Sequence, residues 1–164
     1  MKTLYLMRHA RASKDMNGIT DYDRPLLMEG IENTQKMTDH LKSLKITIKH
    51  IVTSPAKRAM KTATTVAHGY GIRREDILSY DELYKPDIPA FEDCIFSLPD
   101  DWDHVMLVSH NPGISDFADS LIRIEESMPT GSIISISFDM DRWINLYASP
   151  PLLNFFLQPK QINA

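Results

Sequence analysis

The sequence predicts an α/β chain, a three-layer α/β/α sandwich on a mainly parallel central sheet with an antiparallel edge. Three observations carry that prediction. Short apolar runs at residues 4–7 (LYLM), 49–53 (KHIVT) and 104–109 (HVMLVS) have the length and composition of buried strands. The last two lead into segments that open with helix-start residues, SPAKRAMKTATTVAHGYG and HNPGISDFADSLI. Two late β-rich stretches, SIISISF and WINLYAS, flank the charged turn DMDR and read as a hairpin. Strands alternating with helices imply parallel pairing, and the hairpin supplies the antiparallel edge.

Each element has its own justification. Residues 2–7 alternate little and end on a charged pair, as a buried central strand does. From Glu29 to Leu44 the apolar positions Ile31, Met37, Leu41 and Leu44 recur at near-helical spacing. After the strand at 49–53, Ser54 suits a helix N-cap, Pro55 the first helical position and Gly69 the stop. A further strand is expected near Ile77–Leu83, and IPAFEDCIFSL gives a short helix starting after Pro89. HVMLVS is the strongest strand signal, and Asn111 with Pro112 opens the helix behind it. The tail PPLLNFFLQPK is apolar enough to pack on the core or on a neighbouring subunit, and the sequence leaves both open.

Composition sets further bounds. With 164 residues, 43% of them hydrophobic, the chain fits one globular domain over residues 1–164. No repeat or Gly/Ser-rich linker divides it. The formal net charge of −4 argues against broad nucleic-acid or anionic-membrane binding, which needs extended positive surface. A single cysteine, Cys94, excludes an internal disulfide and suits a reducing compartment. No leader pattern is visible and no apolar run approaches the roughly 20 residues that span a bilayer. A cytoplasmic protein is the expectation.

The chemistry converges on three strand ends. The first strand stops on Arg8-His9, the second leads into Ser54-Pro55 and then Arg58, and the third ends at His110. In open α/β sheets the carboxyl ends of parallel strands form the ligand crevice. Helix N-termini beside that crevice present free N–H groups that favour anions. Taken singly, each of these residues is an ordinary strand-end or helix-surface side chain. Together they outline a phosphate pocket, because the arginine fork donates paired hydrogen bonds to phosphoryl oxygens.

The segments LMRHA, SPAKRAMKTA and VSHNPG resemble the three signatures of the histidine phosphatase superfamily, which includes the phosphoglycerate mutases. The short chain and DYDRPLLMEG at 21–30 narrow the resemblance to the SixA-like phosphohistidine phosphatases, from residue 2 to about residue 149. Ala10 stands where most of the superfamily has glycine. The resemblance implies a phosphoglycerate mutase-like fold. It also implies that His9 attacks phosphorus to form a phosphohistidine intermediate that water hydrolyses. Arg8 and Arg58 would hold the equatorial oxygens, His110 would donate a hydrogen bond to the same group, and Arg24 would add a phosphate or substrate contact. Glu82 occupies a place resembling the mutases' acidic position and is the candidate proton donor, with Asp21 and Asp23 as rivals.

About forty residues separate Thr65 from His104, which leaves little room for a lid and suits a phosphate presented on another protein. The substrate expected is a phosphohistidine on a signalling or phosphotransfer protein. A small phosphorylated metabolite is the alternative, and a reader without turnover fits less well. No metal and no cofactor are expected, since no histidine pair has zinc-binding spacing and GYGIRR matches no nucleotide fingerprint. Cys94 lacks an arginine six residues on, and the Asp-x-Asp of DMDRW falls in a predicted turn.

Overall fold

The computed structural model describes residues 1–14 and 17–162. Its six strands are β1 (Lys2–Arg8), β2 (His50–Thr53), β3 (Leu78–Ser79), β4 (His104–Ser109), β5 (Ile133–Phe138) and β6 (Leu152–Leu157). They form one sheet in the order β3-β2-β4-β1-β5-β6. The pairs β1–β4, β4–β2 and β2–β3 are parallel, and β5 and β6 are antiparallel to their neighbours. The mainly parallel sheet with an antiparallel edge is therefore as expected.

Alternation along the strands divides the core in two. Leu4, Leu6, Val105, Leu107, Ile134 and Ile136 face one side, where α3 (Ile88–Phe96) and α4 (Gly113–Ile122) pack. Tyr5, Met7, Ile51, Met106, Val108 and Ile133 face the other, under α1 (Met28–Ser43) and α2 (Lys57–Tyr70). A fully buried aliphatic side chain contributes about 1.5–3 kcal/mol, so a sheet covered on both faces is the main source of stability. In α2 the buried positions Ala59, Ala63, Val66 and Ala67 keep one helical stripe, and their small size seats the helix close to the sheet. On the other face, α3 and α4 are joined by Phe91 and Phe117, stacked at 4.8 Å between centroids.

Several element boundaries differ from the sequence expectation. The partner of β5 is the tail segment Leu152–Leu157, not 143–149. Trp143 is fully buried and donates its Nε1–H to the Trp102 carbonyl, so this segment turns into the core as a single 3-10 turn (Trp143–Asn145). The tail thus adds an edge strand to its own sheet. The strand expected at 77–83 shrinks to two residues, because Asp81–Leu83 forms a 3-10 turn anchored by buried Leu83. The α2 stop is Gly71 at φ 69°, a left-handed position that favours glycine. Gly69 lies inside the helix, where a β-carbon would meet Thr38 of α1. Helix α3 starts at Ile88, capped by Asp87, whose carboxylate accepts the Ala90 N–H.

The RPLLMEG segment is tied down beside the end of β1. Ser13 N–H donates to the Pro25 carbonyl at 2.9 Å, and Leu27 N–H donates to the Arg11 carbonyl at 3.0 Å. The first turn of α1 then passes so near that a β-carbon on Gly30 would collide with the Arg11 main chain. Gly30→Ala should destabilise the protein by about 1–3 kcal/mol, read as a lower urea midpoint with an unchanged slope.

Candidate active site

Parallel pairing brings the candidate residues together. Arg8 is in register with Ser109, and His9 N–H donates to the Ser109 carbonyl at 3.1 Å. His9 and His110 therefore leave the sheet side by side, with ring centroids 5.1 Å apart. On the other side of β4, Ser54 N–H donates to the Val108 carbonyl at 2.9 Å, which sets the end of β2 against the same histidine. Arg58, one turn further on, is 6% exposed and reaches the same place. A cavity of about 680 Å³ opens here, lined by Arg8, His9, Asp21, Arg24, Arg58 and His110 together with the Tyr84–Pro86 segment.

The tautomer of His9 follows from its partner. Its Nδ1 lies 2.7 Å from the Ala10 carbonyl oxygen, which can only accept, so Nδ1 carries the proton and Nε2 keeps a free lone pair. Burial, opposed by that bond and reinforced by Arg58, Arg8 and Arg24, lowers its pKa to about 4. The main chain of Ala10 is used twice, since its N–H also donates to Thr62 Oγ1 at 3.0 Å. Ala10 is not among the residues of positive φ, so the position does not demand glycine.

Ser54 orients His110. Its Oγ accepts the Ala56 N–H at 3.2 Å and lies 2.7 Å from His110 Nε2. With the amide already donating to it, the buried hydroxyl satisfies its own proton by giving it to Nε2. Nδ1 is then the protonated nitrogen, and it has no partner among the described residues. Arg8 Nε is likewise buried without a partner, while its Nη1 donates to the Met128 carbonyl at 3.0 Å. Two buried donors on cavity-lining residues, each costly to leave unpaired, suit an oxyanion. The His110 pKa is also pushed down, by burial first and then by His9 and Arg58.

Asp21 is the hub of the opposite wall. Arg24 Nη1 donates to its Oδ1 at 2.8 Å, and Oδ2 accepts from Arg58 Nη2 at 3.1 Å and from the Tyr84 hydroxyl at 2.6 Å. Arg58 Nη1 also donates to the Asp21 main-chain oxygen at 2.6 Å, and Arg24 Nε to that of Ser13 at 2.7 Å. The Tyr84 hydroxyl, with Arg24 and Arg58, holds the Asp21 carboxyl well below the usual range against the opposing effect of burial. Glu82 is exposed on the 3-10 turn and lines no part of the cavity, and Asp23 accepts the Thr20 hydroxyl outside it. Asn111 does not cap α4. Its amide donates to Ser127 Oγ and the Met128 carbonyl, and its oxygen accepts from Ser115 Oγ, so it fastens the loop that holds Arg8.

The structure thus gathers Arg8, His9, Arg24, Arg58 and His110 and leaves Glu82 apart. Sequence reading missed Tyr84, Thr62 and the orienting contact of Ser54. Tyr84 sits two residues after Glu82, and nothing in its spacing marks it. Among the described residues no cluster of histidine, cysteine or carboxylate side chains could hold a metal ion, and no helix is long and apolar enough to cross a membrane.

A strand-end histidine with a free ring nitrogen thus lines a cavity with three arginines at the carboxyl ends of the parallel strands of an α/β sandwich. The sequence comparison gives the class: residues 4–85, half the chain, match the histidine phosphatase superfamily (branch 1), and the chain belongs to that superfamily. That membership implies a hydrolase acting on phosphate groups. Among solved structures the chain is similar to SixA from Agrobacterium tumefaciens, named as a candidate phosphohistidine phosphatase. It shares 25% identity with a TM-score of 0.81, over 96% of this chain and 98% of that one. The protein histidine phosphatase SixA complexed with tungstate aligns at 22% identity and TM-score 0.82, over 98% and 99% of the two chains. SixA from Nakamurella multipartitia, also named as a candidate phosphohistidine phosphatase, aligns at 23% and 0.77, over 96% of each. The chain has no match among curated proteins.

Three outcomes are expected. In the ligand-free protein His9 should stay neutral from about pH 8 down to about pH 5, where an unperturbed imidazole has protonated, and should charge only near its lowered pKa. The nitrogen NMR shifts of its ring read this directly. Because its folded pKa lies below the unfolded value, the stability that His9 contributes is complete above about pH 6.5 and is lost as the pH falls toward the folded pKa. Arg58→Ala should weaken phosphate binding about 10–100-fold by calorimetry, the loss expected for charge-assisted hydrogen bonds.

Proposed function

We propose that this protein hydrolyses phosphohistidine on a signalling or phosphotransfer protein through a phosphohistidine intermediate on His9. The observation that carries this reading is the His9 ring itself. Its Nδ1 is committed to the Ala10 carbonyl, and its Nε2 lone pair is on a residue lining the same cavity as Arg8, Arg58 and His110. Attack by Nε2 forms the N–P bond as the leaving nitrogen, on a substrate ring protonated at its other nitrogen, takes the electron pair of its own bond to phosphorus and departs as neutral imidazole. The forks of Arg8 and Arg58 hold the equatorial oxygens and spread the charge, and the free Nδ1–H of His110 donates to one of them. Water then attacks the phosphorylated His9 along the opposite path and releases phosphate. A neutral imidazole keeps its lone pair at physiological pH, so no separate base is needed to activate it.

The cavity walls favour this substrate class. The one carboxylate among its described lining residues, Asp21, is held ionised by Arg24, Arg58 and Tyr84. An alkoxide is a strong base and leaves poorly without a proton donor. An imidazole, with a conjugate-acid pKa of roughly 6.5, leaves far more easily. Glu82 lies outside the walls and has no part in this reading. Exposed Lys85 lines the cavity and exposed Tyr22 packs edge-on against Tyr84 of its wall, which suits a phosphoryl group displayed on a protein surface. The similarity to SixA structures, one of them holding the tetrahedral oxyanion tungstate, supports the same reading.

Two measurements test it. Rapid acid-free quenching during turnover should trap acid-labile phosphate on His9 by mass spectrometry, and His9→Ala should lose activity by about a thousandfold or more. Offered a phosphohistidine protein beside phosphoglycerate and sugar phosphates, the enzyme should turn over the first fastest. Preference for the esters would overturn the reading.

A further inference from the structure

Asp21 poses a question that the phosphoryl-binding residues do not answer. A carboxylate beside a dianion site repels its ligand, yet this one is held firmly in the wall of the cavity. Its two oxygens offer about four acceptor sites. Oδ2 receives Arg58 Nη2 and the Tyr84 hydroxyl, and Oδ1 receives Arg24 Nη1. One acceptor site on Oδ1 is left.

Resting on the phosphohistidine reading above, we infer that Asp21 selects an N-phosphorylated imidazole over a phosphate ester, by accepting on Oδ1 the N–H of the leaving ring at the nitrogen not bonded to phosphorus. A phosphoimidazole protonated at that nitrogen carries a positive charge on the ring, and a fixed carboxylate favours it. When His9 Nε2 bonds to phosphorus, the P–N electron pair stays with the ring nitrogen and cancels that charge. The ring departs as neutral imidazole with its proton where it began, on the nitrogen facing Asp21. No proton crosses from enzyme to leaving group.

A phosphate ester gains nothing from this arrangement. Its leaving oxygen needs a proton, and Asp21, facing Arg24 and Arg58, has none to give. The Tyr84 proton is already donated to Asp21, and burial together with that carboxylate raises its pKa. The groups that set the charge state of Asp21 are therefore Arg24 on its own loop, Arg58 of α2, and Tyr84 of the 81–86 segment. Asp23, the nearest acid in sequence, is turned to Thr20.

The test compares phosphoimidazole with p-nitrophenyl phosphate, whose leaving group has no N–H and departs without a proton. Asp21→Asn loses the charge and keeps an oxygen for only one of the two arginines, a change at the wall that falls on both substrates alike. Its kcat/KM should fall about 10–100-fold further on phosphoimidazole than on the aryl phosphate, the range for a charged hydrogen bond. Equal losses would mean that Asp21 only orients Arg58 and Arg24, and would overturn the inference. A second measurement needs no variant. In the wild type the basic limb of kcat on phosphoimidazole should lie about one pH unit or more above the ring pKa of free phosphoimidazole, because the carboxylate holds the proton on. Coincidence of the two would also overturn it. A wild type that cleaves the aryl phosphate but neither phosphoimidazole nor phosphohistidine overturns the proposed function and this inference together. Cleavage of phosphoimidazole with no excess loss in Asp21→Asn overturns this inference alone.

Discussion

The in-register pairing of β1 with β4 is the constraint on which the site depends. Arg8 opposite Ser109 means that the next residue of each strand, His9 and His110, leaves the sheet at one height. Side chains alternate across a strand, so a one-residue slip would send one imidazole to the wrong face and separate the pair. Slippage is opposed by the core itself. Leu4 and Leu6 belong to one buried face and Tyr5 and Met7 to the other, and any shift would exchange them. The same sheet carries β2 on the far side of β4, which delivers Ser54 to His110 and Arg58 to the cavity. Burial of ordinary aliphatic residues thus sets the spacing of the polar ones.

The charge balance of the site is built on main-chain oxygens. Arg8 is anchored by the carbonyl of Met128, Arg24 by that of Ser13 and Arg58 by that of Asp21. A carbonyl anchor fixes the direction of a guanidinium without cancelling its charge, so the positive field stays available to a dianion. Among the described residues that line the cavity, Asp21 is the carboxylate that offsets it. The two histidines escape the problem by staying neutral, since burial and the neighbouring arginines penalise their cationic forms. A chain of net charge −4 can therefore keep a strongly positive cavity.

The strand ends were legible because their signal is local: an apolar run followed at once by a charged or cap-forming residue. That pattern places Arg8, His9, Arg58 and His110 without knowledge of the loops. The antiparallel edge was also legible, but its second strand was not, because WINLYAS and PLLNFFL are both apolar enough to pair with the hairpin strand. Trp143 decides between them by filling the core and hydrogen-bonding to Trp102, a long-range contact that no window of sequence contains. The place of Glu82 illustrates the same limit. Leu83 is buried and its carbonyl accepts the Ser109 hydroxyl at 2.7 Å, so the tight turn leaves Glu82 exposed and brings Tyr84 to the cavity. The contact between Tyr84 and Asp21 joins residues 63 apart and has no trace in spacing or periodicity.

These two origins divide the site into parts of different character. His9, Ser54, Arg58 and His110 sit on strand ends or the first turn of a packed helix, and their positions are fixed by the cooperative core. Asp21, Arg24 and Tyr84 sit on single turns at the surface, held by hydrogen bonds to one another and to main-chain oxygens. On the proposed reading, the first group meets the phosphoryl centre, whose geometry is the same for every substrate. The second group meets the leaving group, which is where substrates differ. On that reading, substitutions at Asp21, Arg24 and Tyr84 alter what is cleaved without disturbing the sheet, whereas changes at the strand ends alter whether anything is cleaved at all. In this proposal discrimination among phosphorylated substrates falls to side chains that face outward from turns, while the buried Leu83 keeps the turn before Tyr84 in place.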